Sequence, residues 1–267
     1  HFGATWPFFI NKNNFAYLKE KRIELIIIPA MISIFSLIGF IYFKSLFLLI
    51  FFIVNIYHVT RQSYGICKLY CKNEQESKFQ SNVIYIFNLF FFLIAFFRFY
   101  IPIIQNDYLI FLNIFIIFLL LLTIFYYFKK FGLSENLFVF ITGCIIFLPA
   151  SFVSNPIHVI LMGVTMHYTQ YLYFTTKVNK LRIENFENDA KKIKNKSFFF
   201  IFAIIIYASI MTFFSSMGKL DNETYKSLIF IPILGQMLHF YIDSQIWKFR
   251  EKHNRDYTLK YLNQILN

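Results

Sequence analysis

Residues 107–128 read DYLIFLNIFIIFLLLLTIFYYF and are followed at once by Lys129 and Lys130. An α-helix needs about 20 mostly apolar residues to cross ~30 Å of hydrocarbon. Lipid offers the backbone no hydrogen-bonding partner, so a run of this length is read as a helix that satisfies its own amides. The paired lysines place charged heads where such a helix would return to water.

Working outward, comparable runs occupy 23–43, 45–66, 82–104, 135–154, 156–176, 198–217 and 226–247. Short polar joints separate most of them, the tightest being Gln105-Asn106-Asp107 and Asn155-Pro156. Pro29, Pro149 and Pro232 fall in or near the runs, which membrane helices tolerate better than soluble ones. Composition agrees: 58% of the 267 residues are hydrophobic, 15% are charged, and the mean hydropathy is +0.55. A soluble domain of this length carries far more charge. The expected fold is therefore all-α, a polytopic transmembrane bundle of about eight spans forming a single integral membrane domain over 1–267. The chain opens on His1 rather than Met, and no signal-peptide pattern precedes the first run. The expectation is an N-terminally truncated bundle in which 1–7 is the inner end of a shortened helix.

Charge placement supports the span count. Of the 26 Lys and Arg, Lys44, Lys219 and Lys226 fall on one side of the alternating spans, and Arg61 and Arg98 fall within spans. All the others share the opposite side, in the segments around Lys12–Arg22, Lys68–Lys78, Lys129–Lys130, Lys177–Lys196 and Lys248–Lys260. The positive-inside rule makes that side cytoplasmic. The expected location is a bacterial inner (plasma) membrane, with basic loops and C-terminus inside. The net charge of +12 then belongs to topology and to anionic headgroups of the lipid bilayer, and no soluble basic domain exists to bind nucleic acid. The stretch 177–196 is read as a solvated connector, with an amphipathic surface helix as the alternative. The three cysteines form no disulfide framework: Cys67 and Cys71 are thiols sharing a helix face, and Cys144 is packing.

Within this frame the histidines stand out. His1, His58, His167 and His239 precede Lys12, Lys68, Lys177 and Lys248 by roughly ten residues each, or ~15 Å of helix rise. Four helices running the same way would hold four imidazoles at one depth. Each His has a polar follower about one turn on: Thr5, Gln62, Gln170 and Asp243. Ionisable groups at that depth are functional candidates, and neutral imidazole suits iron, zinc, copper or nickel. His1, His58, His167 and His239 are thus candidate metal ligands. Gln62, Gln170 and Asp243 are candidate catalytic positions that orient the rings, and Asp243 is alternatively a ligand itself. The competing explanation is interhelical hydrogen bonding that holds the bundle together. Asn55 and Arg61 lie near His58, and Asp243 is a possible partner for Arg61. Tyr64, Tyr171, Tyr173, Tyr241 and Trp247 form an interfacial belt or line a cavity. His158 and His253 lack the spacing and are read as a loop-edge and a tail residue.

The segments HFGAT (1–5), YHVTRQSYG (57–65), MHYTQYL (166–172) and LHFYIDSQIWKFR (238–250) together resemble a group of bacterial multispan membrane proteins. More distantly they resemble the bacteriorhodopsin-related-protein-like β-carotene 15,15′-dioxygenase family. That resemblance implies a membrane bundle with single histidines on its helices, using iron and O₂ to split a carotenoid, with His1, His58, His167 and His239 as ligands. Two departures are visible. Gln170 stands where a second histidine is expected, and no acidic residue follows the His-Phe-Gly at the start of the chain. The expected function is a His-ligated iron (Fe2+) oxygenase acting on a lipophilic, carotenoid- or isoprenoid-like small molecule that enters from the bilayer. The alternatives are a multipass transporter, a haem- or metal-binding membrane protein without catalysis, or a purely structural bundle. A diiron desaturase would need clustered His boxes, and the six histidines here are dispersed.

Overall fold

The structure, a computed structural model, describes residues 2–9, 12–101, 106–153, 156–187, 189–218 and 223–266. These form thirteen α-helices in chain order: α1 (Phe2–Phe9), α2 (Lys12–Glu20), α3 (Ile28–Tyr42), α4 (Lys44–Tyr70), α5 (Glu74–Tyr100), α6 (Asn106–Phe131), α7 (Glu135–Cys144), α8 (Pro156–Phe186), α9 (Ala190–Met217), α10 (Glu223–Ser227), α11 (Phe230–Ile246), α12 (Lys252–Asn254) and α13 (Lys260–Leu266). Short π-helical turns at Ile23–Ile27 and Arg255–Leu259 lead into α3 and α13, and no strand occurs among the described residues.

Among the described residues, six helices are long and apolar enough to cross a membrane: Ile23–Tyr42, Lys44–Tyr70, Glu74–Arg98, Asn106–Phe131, Lys191–Met217 and Tyr225–Ile246. Helix α6 shows why they suit lipid rather than water. Leu109, Asn113, Ile116, Leu120 and Tyr127 make one buried stripe. Phe111, Phe115, Phe118 and Phe125, on its other faces, are exposed. A surface helix in water carries polar residues on its outer face, and patches of bare aromatic surface on that scale mark contact with an apolar environment.

The other two expected spans have different outcomes. The run 156–176 lies in α8, where the side chains of 156–166, His158 among them, are outside the described residues. The run 135–154 is not one helix. It stops at Cys144 after 10 residues, or ~15 Å of rise, and continues as a turn and a 3₁₀ turn at Pro149–Ser151. The cause is Pro149, whose ring clashes with the carbonyl four residues back and which has no N–H to continue the ladder.

Contacts cluster the chain into two compact units, 1–55 with 170–267, and 56–169. In the unit 56–169, α5 packs on α6 and α7. Its core is aliphatic and aromatic, with Ile84, Phe91, Ile94, Phe140 and Ile146 almost wholly buried. The broken helix is repaired from outside. Asn88 of α5 is fully buried; its Nδ2 donates to the Gly143 and Ile84 carbonyls, both at 2.8 Å, and its Oδ1 accepts the Phe147 N–H at 3.1 Å. Further on, Ser151 Oγ donates to Asn113 Oδ1 at 3.0 Å. At one end of the same unit, Asn73 caps α5 by accepting the Glu76 N–H, while the Glu76 carboxylate accepts the Lys72 N–H, both at 2.8 Å. Glu76 also accepts from Tyr127 and from Asn136, and Gln80 Nε2 donates to both Tyr127 (3.0 Å) and Asn136 (2.9 Å). Gly132, at φ 80°, closes α6 with its N–H on the Phe128 carbonyl.

In the unit 1–55 with 170–267, α1 and α11 pack on each other and on α9, and α3 packs on α11. Glycines allow the close approaches. A Cβ at Gly3 would lie 3.1 Å from the Ile204 carbonyl, and one at Gly235 would lie 2.6 Å from the Tyr207 hydroxyl. Arg182 of α8 is buried, and among the described residues no acid pairs with it. Its guanidinium sits 4.1 Å over the Phe8 ring and donates to the Tyr257 carbonyl and to Thr258 Oγ1. His253 is not a loose tail residue: its ring stacks on Tyr17 at 4.2 Å, and its Nε2 bonds Asn14 Oδ1 at 2.7 Å.

Replacing Asn88 with Leu orphans the Gly143 carbonyl and the Phe147 N–H at ~1–3 kcal/mol each. Unfolding in micelles shifts accordingly, whereas Phe111→Leu, on the exposed face, leaves it unchanged. Burial, and second the charge of Arg182, holds the His253 imidazole below its ordinary pKa of 6.5. The unfolded chain therefore binds a proton here before the folded one does. This contribution is complete above pH 6.5 and is lost as the pH falls below it toward the lowered folded value. His253→Phe keeps a ring on Tyr17 and flattens the part of the melting-temperature profile that begins at pH 6.5.

Candidate functional site

The unit 56–169 brings two of the expected ligands together. His58, on α4, and His167, on α8, are 7% and 1% exposed. Their ring centroids are 5.6 Å apart and the planes meet at 87°, edge to face. A ring nitrogen of each lies within 4.8 Å of one on the other. The surroundings are apolar: Val59 and the partly buried Ile56 and Tyr168 belong to the unit's hydrophobic core. Two nitrogens bonded to one ion at ~2.1 Å stand ~3.4 Å apart when tetrahedral, a separation inside that 4.8 Å limit. Two buried imidazoles, when neutral, are a donor set for borderline divalent metals.

The candidate polar followers differ in what they do. Gln62 and Gln170 are half-buried, and among the described residues neither Gln62 Nε2 nor Gln170 Oε1 has a hydrogen-bond partner. Arg61 is exposed, lies over the Tyr57 ring and donates to its hydroxyl at 3.3 Å. His1 lies outside the described residues.

The unit 1–55 with 170–267 builds a second polar centre around His239 of α11, which is fully buried. Its Nδ1 is 2.6 Å from Thr5 Oγ1 on α1. Thr5 Oγ1 is in turn 2.8 Å from the Tyr171 hydroxyl on α8, and that hydroxyl donates to Asp243 Oδ1 at 2.6 Å. Asp243 lies one helical turn beyond His239 on α11, and its Oδ1 also accepts the indole N–H of Trp247 at 2.8 Å. Asp243 thus reaches His239 through two hydroxyls carried by two other helices. Thr5, Tyr171 and Asp243 are all buried. In the same unit Gln236 Nε2 donates to Asn55 Oδ1 at 3.4 Å.

The sequence shows Thr5 as a follower of His1 and Tyr171 as a belt residue. Their tie to His239 depends on which faces of α1, α8 and α11 meet. Spacing along one helix carries no information about that. Asn88 and Asn113 do have a visible signal, a polar side chain in the middle of an apolar run. Against protein-family models, curated proteins and solved structures, the chain finds no match.

Proposed function

We propose that this chain is a membrane-embedded metalloprotein in which His58 and His167 hold a metal ion, most consistently iron, and that it acts as an oxygenase on a lipophilic, carotenoid- or isoprenoid-like substrate. The observation that carries this reading is the edge-on pair of buried imidazoles with nitrogens within 4.8 Å. Imidazole ligation with positions left open is the chemistry that lets ferrous iron activate O₂. The apolar exterior of helices such as α6 favours a substrate delivered from the bilayer. The resemblance of 57–65 and 166–172 to the dioxygenase family points the same way. Register along the sequence nominates His239 and His1 as further ligands, and the alternation of basic segments is the support for eight crossings with those segments in the cytoplasm of a bacterial cell. A haem held between the two imidazoles is the second reading, favoured by the same nitrogen separation.

Elemental analysis of the purified full chain tests the proposal. About one metal ion per chain is expected, with tenfold or greater loss in His58→Ala and in His167→Ala. Unchanged metal content in both variants removes the proposal. His239→Ala in the same assay reads whether the ligand set is larger, and a Soret band assigns the site to haem. For orientation, a fluorescent reporter fused after Asn267 is expected to fold and emit, and a periplasmic phosphatase fused there to stay inactive. The opposite pattern reverses the topology.

A further inference from the structure

The Tyr171 hydroxyl has a single proton, and two of its neighbours compete for it: Asp243 Oδ1 at 2.6 Å and Thr5 Oγ1 at 2.8 Å. The carboxylate decides between them. An ionised Asp243 has no proton to give, so its Oδ1 accepts from Tyr171 at 2.6 Å as it accepts the Trp247 indole N–H at 2.8 Å, and the phenolic proton goes to Asp243. The phenol oxygen then accepts from Thr5. With its own proton committed, Thr5 Oγ1 can only accept at its 2.6 Å contact with His239 Nδ1. The direction of the whole chain is set from its acidic end.

We propose that the Thr5–Tyr171–Asp243 chain, oriented by the Asp243 carboxylate, is a tautomer lock that holds His239 in the Nδ1–H form and so leaves the lone pair on its Nε2, the form that serves as a ligand or base. All five residues lie in one compact unit. Asp243 acts on His239 as carboxylates act on metal-bound histidines, raising basicity and fixing ring orientation, with two hydroxyls interposed. Thr5, Tyr171 and Asp243 are positioning residues. The tautomer does not depend on the metal reading; only the use of Nε2 as a ligand rests on it.

The test is nitrogen NMR of histidine side chains in the full chain, ¹⁵N-labelled at histidine and reconstituted in lipid nanodiscs, with the His239 signals assigned by their loss in His239→Gln. The wild type is expected to show a protonated Nδ1 and an unprotonated Nε2. Thr5→Val, of the same shape but without the hydroxyl, and Tyr171→Phe should each lose the Nδ1–H signature, and Thr5→Ser should restore it. An Nε2–H signature in the wild type overturns the lock, because it requires the chain to run the other way. An unchanged His239 spectrum in both Thr5→Val and Tyr171→Phe overturns it too. Melting temperatures of the variants separate a lost tautomer from a lost fold. If the protein proves metal-free, the Nδ1–H signal persists and only the metal reading fails; if metal is retained without that signal, only the lock fails.

Discussion

A polar group removed from water costs this chain free energy unless it finds a partner inside the chain. That constraint shapes both units. The cost of leaving a backbone N–H or C=O bare rises in an apolar medium, and the helix interrupted at Pro149 exposes several. Asn88 meets it by serving three backbone groups with one amide: two carbonyls as donor and one N–H as acceptor. An asparagine is one of the few side chains that can do this, because it carries a donor and an acceptor on the same planar group. The hydroxyls of Thr5 and Tyr171 follow the same logic between His239 and Asp243.

The helix ends meet the constraint by other means. Asn73 and Asp189 cap α5 and α9 through their side chains, and Gly132 closes α6 by taking a left-handed conformation. These are the devices of soluble helices, placed beside Lys, Glu and Asp residues. The interior devices differ because water is not available as a fallback, so they use buried amides and hydroxyls from other helices. Glu76 sits where the two regimes meet. It serves the N-terminus of α5 through Lys72, and it collects Tyr127 and Asn136 from two other helices. A single carboxylate thereby ties the start of α5 to the end of α6 and the start of α7.

The all-helical class and most of the long apolar elements are legible in residues such as 107–128, because a run without polar breaks has only one backbone solution in hydrocarbon. The histidines are legible for a related reason: an imidazole amid such a run is expensive, and so conspicuous. Legibility stops where packing between helices decides. Nothing in 135–154 except Pro149 marks the helix break, and membrane helices often carry prolines without breaking. Periodicity places Gln62 one turn from His58. It does not say that the amide nitrogen of Gln62 is left without a partner among the described residues. Thr5 and His239 are separated by most of the chain, and their contact depends on Gly3 letting α1 lie against α9 and on α11 meeting both.

Trp247 forms the C-terminal cap of α11, where the helix gives way to a short turn before α12. It is half-buried, and its indole N–H adds a second donor to the carboxylate oxygen on which the row of hydroxyls ends. On the proposed lock, the charge on one carboxylate sets, without displacement of any backbone, which nitrogen bears hydrogen on a buried ring three hydrogen bonds away.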